Sequence, residues 1–144
     1  LILVDANLLI YASVTELPQH AHASTWLEDT LNSGKRVGLA WESLAAFLRI
    51  TTNPRIFQSP ARLSEAWATV EYWLEQTNVW NPGATERHQK IFAECLRQVP
   101  RGGNLVPDAH LAALALEHGL TLYTCDSDFA KFAGLSWVNP IPVL

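Results

Sequence analysis

The sequence predicts an α/β fold, a three-layer α/β/α sandwich with a short central parallel sheet. Three observations carry that expectation. Short apolar runs alternate with helical stretches of about ten residues or more, and parallel strands need such crossovers. At 144 residues the chain has the size of one domain, so residues 1–144 are expected to form a single unit. No repeat, low-complexity tract or linker divides it.

LILVD at residues 1–5 is an apolar run that ends in an acid, the pattern of a strand buried on both faces. Asn7 to Val14 follows as a short helix, and Leu17-Pro18 breaks the chain. From His20 to Asn32, the residues Ala23, Trp26, Leu27 and Leu31 fall at helical spacing, with Gly34 as a stop. Val37 to Ala40 is a second strand. Glu42 opens a helix carrying Leu44, Phe47, Leu48 and Thr51, which Asn53-Pro54 ends. Ser59-Pro60 starts the next helix, Ala61 to Gln76, with Leu63, Trp67, Val70 and Leu74 on one face. Val79-Trp80 is a weak strand and Asn81-Pro82-Gly83 a turn. Thr85 to Gln98 is helical, and Pro100 to Gly103 is a loop. Pro107 to His118 is a strongly apolar helix capped by Gly119. Thr121 to Thr124 is a strand, and Ser136 to Val138 is the last.

Hydrophobic residues make up 49% of the chain and charged ones 17%, against roughly 25% charged in an average domain. That balance excludes a disordered chain. It also predicts a protein partner, because so few charges leave apolar surface uncovered. Cys95 and Cys125 are too few for a disulfide scaffold and read as buried or incidental cytosolic thiols. No apolar run approaches the roughly 18 residues of a membrane span. The LILV run meets Asp5 too soon for a signal peptide, and the lack of any methionine predicts that the initiator is not part of the sequence.

The net charge of −4 argues at first sight against a nucleic-acid partner. Its distribution tells otherwise. With Asp5, Glu42, Asp108, Asp126 and Asp128 set aside, nine acids face ten bases. Arg49, Arg55 and Arg62 fall in a stretch free of acid between Ser43 and Ser64, and Arg97 and Arg101 precede Asp108. The sequence thus predicts an acidic hole in a near-neutral to basic surround. Each of these arginines taken alone reads equally as a solvated surface position.

In open α/β sheets, ligands bind beyond the carboxyl ends of the strands. Asp5 ends the first strand, Glu42 comes two residues after the second, and Asp126 comes two after Thr124, with Asp128 next. Asp108 lies in the first turn of its helix. Each has an ordinary explanation: Asp108 complements a helix dipole, Asp126 caps a turn, and Glu42 is a first-turn acid. Together they bring carboxylates from four segments to one rim. Clustered carboxylates repel, and a divalent cation resolves that repulsion. Mg²⁺ and Mn²⁺ favour such oxygen ligands. Zinc is disfavoured: His20 and His22 have no third histidine or cysteine near them, and no HExxH is present.

VDANLLIYA (4–12), WESL (41–44), PDAHLAALA (107–115) and YTCDSDF (123–129) together resemble a PIN domain, and specifically a VapC-type toxin ribonuclease. TTNPRIFQSP (51–60) extends the likeness, which covers essentially the whole chain. The resemblance implies that Asp5, Glu42, Asp108 and Asp126 are the acidic quartet and Asp128 a fifth acid. It implies that Asn7 and Thr124 orient the carboxylates. It implies a cytoplasmic protein of a bacterium or archaeon, paired with a VapB-type antitoxin that blocks the site.

Other constellations are absent or incomplete. No GxGxxG, GxxxxGK[ST] or GxSxG is present. A receiver domain wants paired acids after the first strand, where Asp5 stands alone, and a DxDxT phosphatase needs an acid where Asn7 stands.

The expected activity is a metal-dependent endoribonuclease that hydrolyses RNA with Mg²⁺ (or Mn²⁺) between Asp5, Glu42, Asp108 and Asp126, leaving a 5′-phosphate. The alternatives are a non-catalytic PIN-fold module that binds RNA or antitoxin, and a nuclease acting on DNA or structured substrates. Trp26, Trp67, Tyr72 and Trp73, on the helices at 7–32 and 61–76, are expected to form part of a homodimer or antitoxin surface. Trp41 is the one tryptophan expected near the site. Arg55, in a connection stiffened by Pro54 and Pro60, is a candidate RNA contact, or else a helix cap or a partner of Glu65.

Overall fold

The computed structural model describes residues 1–143. The elements run β1 (Ile2–Val4), α1 (Ala6–Ser13), α2 (His20–Leu31), β2 (Val37–Gly38), α3 (Trp41–Thr51), α4 (Leu63–Leu74), β3 (Val79–Trp80), α5 (His88–Arg97), α6 (Leu105–His118), β4 (Thr121–Tyr123), a 3₁₀ turn (Ser127–Lys131) and β5 (Trp137–Val138). Every strand pair is parallel, in the order β3-β2-β1-β4-β5. The expected α/β/α sandwich is the architecture found.

The chain builds outward from β1 to β2 and β3, then returns to lay β4 on the other side of β1. Right-handed crossovers then place the earlier and later helices on opposite faces of the sheet. Side-chain alternation in β1 follows the same division. Ile2 and Val4 join the core beneath α1 to α4, with Leu8, Leu9, Leu44, Phe47 and Val70. Leu3 joins the core beneath α5 and α6, with Leu111, Leu114, Leu122 and Phe129. A one-residue slip of β1 would exchange the two faces, so its register is fixed by packing.

Two glycines are required by geometry. Gly119 ends α6 in the left-handed conformation at φ 64°. At Gly38 a Cβ would stand 3.0 Å from the Pro82 side chain and 3.1 Å from the Ile2 carbonyl oxygen.

Several expectations are trimmed. The strand expected over Val37–Ala40 ends at Gly38, and Ala40 instead caps α3. The helix expected from Thr85 starts at His88, because Thr85 donates both its backbone N–H and its hydroxyl to Glu117. The helix expected from Ala61 starts at Leu63, since the Ala61 N–H is bonded to the Thr51 carbonyl. The α6 helix starts at Leu105, with Pro107 in its first turn, where a missing N–H costs nothing. Trp73, expected on an interface, is instead core: only 4% exposed, it meets the Phe47 ring edge-on at 4.8 Å. Trp26 is half-buried and stacks on Tyr123. No helix among the described residues is long and apolar enough to cross a membrane.

Candidate active site

The sheet order reverses between β1 and β4, and the crevice beyond that point is where a ligand is expected. Asp5 follows β1 and caps α1: its Oδ1 accepts the Ala6 N–H at 2.7 Å. Its Oδ2 accepts the Thr124 hydroxyl at 2.7 Å. Thr124 follows β4 and is fully buried. Its Oγ1 also accepts from Asn7 Nδ2 at 3.1 Å and from the Asp126 N–H at 3.0 Å. Asn7 Oδ1 in turn accepts the Cys125 N–H at 3.4 Å. One hydroxyl thus ties the ends of the two central strands together and fixes the Asp5 carboxylate.

The other acids also sit where helices begin. Asp126 caps the 3₁₀ turn, its Oδ1 accepting the Asp128 N–H at 2.9 Å. Asp108 lies in the first turn of α6 and Glu42 in that of α3. Unpaired N–H groups and the helix dipole favour negative charge at each place.

The electrostatics identify which of them act on one another. Burial pushes the Asp108 carboxyl from 3.8 to about 6, with Asp126 and Asp5 adding to the rise, Lys131 opposing it and Asp128 adding again. Burial likewise raises Asp5, against the hydrogen bonds from Thr124 and Ala6, and Asp126 raises it further. Burial, with the Asp5 charge, pushes the Cys125 thiol up to about 11, which keeps it a neutral neighbour. Glu42 is not among the charges acting on Asp5 or Asp108. It is exposed at the rim, with Oε2 3.5 Å from His110 Nε2. Asp5, Asp108, Asp126 and Asp128 therefore feel one another's charge, and Glu42 is not part of that set. Trp41, beside Glu42, is 49% exposed. Arg55 lies past the far end of α3, on an exposed turn in which its N–H donates to Asn53 Oδ1. Glu65 is paired with Arg62, not with Arg55.

Among the described residues no three carboxylates, imidazoles or thiols already stand close enough to hold one ion. A hard cation of the magnesium type keeps several waters and takes only one or two carboxylates directly, so the looser all-oxygen set fits it. Sequence reasoning missed Lys131 and His110. Lys131 falls seven residues beyond Thr124, in the 3₁₀ turn, and its charge reaches Asp108. For His110 the available signal was its position two residues after Asp108.

The PIN domain family matches residues 2–135. The chain belongs to the PIN domain family. Among similar PIN proteins, ribonuclease VapC37 of Mycobacterium tuberculosis is 41% identical over 142 residues, covering 99% of each chain. Ribonuclease VapC33 of the same species is 39% identical over 141 residues, covering 98% of this chain and 99% of that one. A solved PIN structure, Mycobacterium tuberculosis VapC20, described as a Sarcin-Ricin loop cleaving toxin, superposes with a TM-score of 0.66 at 20% identity, over 94% of this chain and 96% of that one. VapBC2 from Rickettsia felis, bound to a DNA fragment from its promoter, does so with a TM-score of 0.67 at 17% identity, over 96% and 97%. At those identities the likeness is one of PIN fold.

Proposed function

We propose that this PIN domain is an endoribonuclease toxin, dependent on Mg²⁺ or Mn²⁺ and neutralised by a VapB-type antitoxin. The observation that carries the reading is the Asp5–Asp108–Asp126 cluster at the β1–β4 crevice. Mutual charge and burial leave Asp108 at about 6, and Lys131 is the one cation that opposes the shift. Such a cluster stores repulsion that a divalent cation relieves. The full-length likeness to ribonucleases VapC37 and VapC33 supports RNA as the substrate.

The residues divide the work. Asp5, Asp108 and Asp126, with Asp128 and Glu42, are the carboxylates that would hold the cation. A divalent ion bound there eases deprotonation of water and offsets charge on the phosphodiester. Thr124 and Asn7 keep Asp5 in one orientation, since a carboxylate fixed by outer partners needs no reorganisation when the cation binds. The Lys131 charge favours the ionised form of Asp108, the form a cation would need.

The test is incubation of the purified protein with total RNA and Mg²⁺, with mapping of new 5′ ends. Cleavage leaving 5′-phosphates is expected, lost with chelator and in Asp5→Asn. Thermal melting with millimolar Mg²⁺ or Mn²⁺ separates this reading from a binding module, because a ligand bound only by the native state raises its stability by about 2.7 kcal/mol at a hundredfold excess over Kd. No cleavage and no shift would leave the module.

A further inference from the structure

Glu42 is the site acid that does not act on Asp5 or Asp108, and its one ionic contact among the described residues is with His110, Oε2 to Nε2 at 3.5 Å. A half-exposed glutamate side chain with one partner keeps most of its rotamer freedom unless that partner is itself fixed. His110 is fixed. Its ring meets Phe92 at 5.4 Å and 70° and meets His88 at 4.9 Å and 80°, edge to face against both. His88 is held in turn, its Nδ1 bonded to Glu117 Oε2. Glu117 is 4% exposed, and its Oε1 takes the Thr85 N–H and hydroxyl at 2.8 and 2.9 Å. His110 and Glu117 are seven residues apart on α6, two turns along one face.

We propose that His110 is a positioning residue for the phosphodiester reaction: braced by Phe92 and by the buried Glu117–His88 pair, it holds the Glu42 carboxylate at the edge of the metal-binding cluster. The inference rests on the ribonuclease reading only for its consequence in catalysis; the coupling of His110 to Glu42 stands apart from it. The bracing pair alone would be a staple joining α5 to α6. What goes beyond a staple is the Nε2 edge of His110, which faces α3 and a carboxylate at the site.

Two variants separate these roles. His110→Phe keeps a ring against Phe92 and His88 but removes the ring nitrogen that faces Glu42; His110→Gln restores a polar nitrogen of similar reach. On an RNA substrate, H110F is expected to keep its melting temperature and KM while kcat falls roughly two- to fivefold, the size of a partly exposed ion pair. H110Q is expected to recover most of that loss. Mn²⁺ affinity, read by the paramagnetic signal of free Mn²⁺ in the absence of RNA, should weaken a few-fold in H110F. It should weaken no further in H110F/E42Q than in E42Q, as two residues acting through one contact require. Imidazole nitrogen spectra give the readout that needs neither metal nor activity: E42Q should move the His110 Nε2 resonance. An unmoved resonance overturns the proposal, whether or not the protein cuts RNA. So does H110F with wild-type kcat and wild-type Mn²⁺ affinity. A moved resonance in a protein that neither cuts RNA nor binds Mn²⁺ keeps the coupling and removes the ribonuclease reading.

Discussion

The Thr124 hydroxyl donates to Asp5 Oδ2 at 2.7 Å, a contact between residues 119 positions apart. Because Thr124 Oγ1 also accepts from Asn7 and Asp126, its loss exposes three groups at once. Thr124→Val has nearly the same shape and no hydroxyl. It should cost about 1–3 kcal/mol, the penalty for buried unpaired polar groups, seen as a drop in melting temperature of roughly 4–10 °C. Thr124→Ser should recover most of the stability and the cleavage. Equal melting of Val and wild-type proteins would show that the hydroxyl contributes nothing.

Asp108 gives a pH signature. Unfolded, it titrates near 3.8; folded, at about 6. Between these values the folded chain binds more protons, so the stability this group contributes is fully present below pH 4 and is lost as pH rises to about 6. In metal-free buffer Asp108→Asn should therefore melt higher than wild type above pH 6, with the two converging near pH 4, and it should not cleave RNA. Parallel melting curves from pH 4 to 7 would remove the charge argument.

Among the described residues Arg55 has no acidic partner, and it lies on the turn that follows α3, beyond the end opposite Glu42. Arg55→Ala should leave melting unchanged. If Arg55 meets an RNA phosphate, the salt dependence of RNA binding should become shallower by about one unit of slope. An unaltered slope takes Arg55 off the RNA path.

Helix α4 exposes Leu63, Trp67 and Tyr72, and Tyr72 borders a groove of about 300 Å³ with Leu27 and Leu31 of α2. This surface suits an amphipathic antitoxin helix or a second copy of the chain. Tyr72→Glu should weaken inhibition by antitoxin at least tenfold, as loss of an aromatic anchor does (roughly 2 kcal/mol or more). Trp67→Ser should shift sedimentation toward monomer. Both variants behaving as wild type would move the interface elsewhere.

The layer order and three of the acids were legible because each leaves a local mark. Asp5 ends an apolar run, Asp126 follows TLYT, and Asp108 opens an apolar helix. Their separation from Glu42 was not legible, since it depends on how far α3 stands from the crevice. For Trp73 the spacing left core and interface packing both open, because it gives a face but not what covers it; Phe47 covers it. His88, His110 and Glu117 carry no motif, and only the packing of α5 on α6 brings them together. The 3₁₀ turn at Ser127–Lys131 is too short for any periodicity to show.

The sheet order has a consequence for synthesis. Strand β1 leaves the ribosome more than a hundred residues before β4, the neighbour it pairs with. Until residues 121–124 emerge, Asp5 lacks its Thr124 partner, and Asp108 and Asp126 are not assembled around it. Helices α1 to α4 can condense earlier, since domains fold from the amino end as they are made. The Asp5 carboxylate of a nascent chain therefore lacks its outer partner until residues 121–124 have been made, however early α1 to α4 condense.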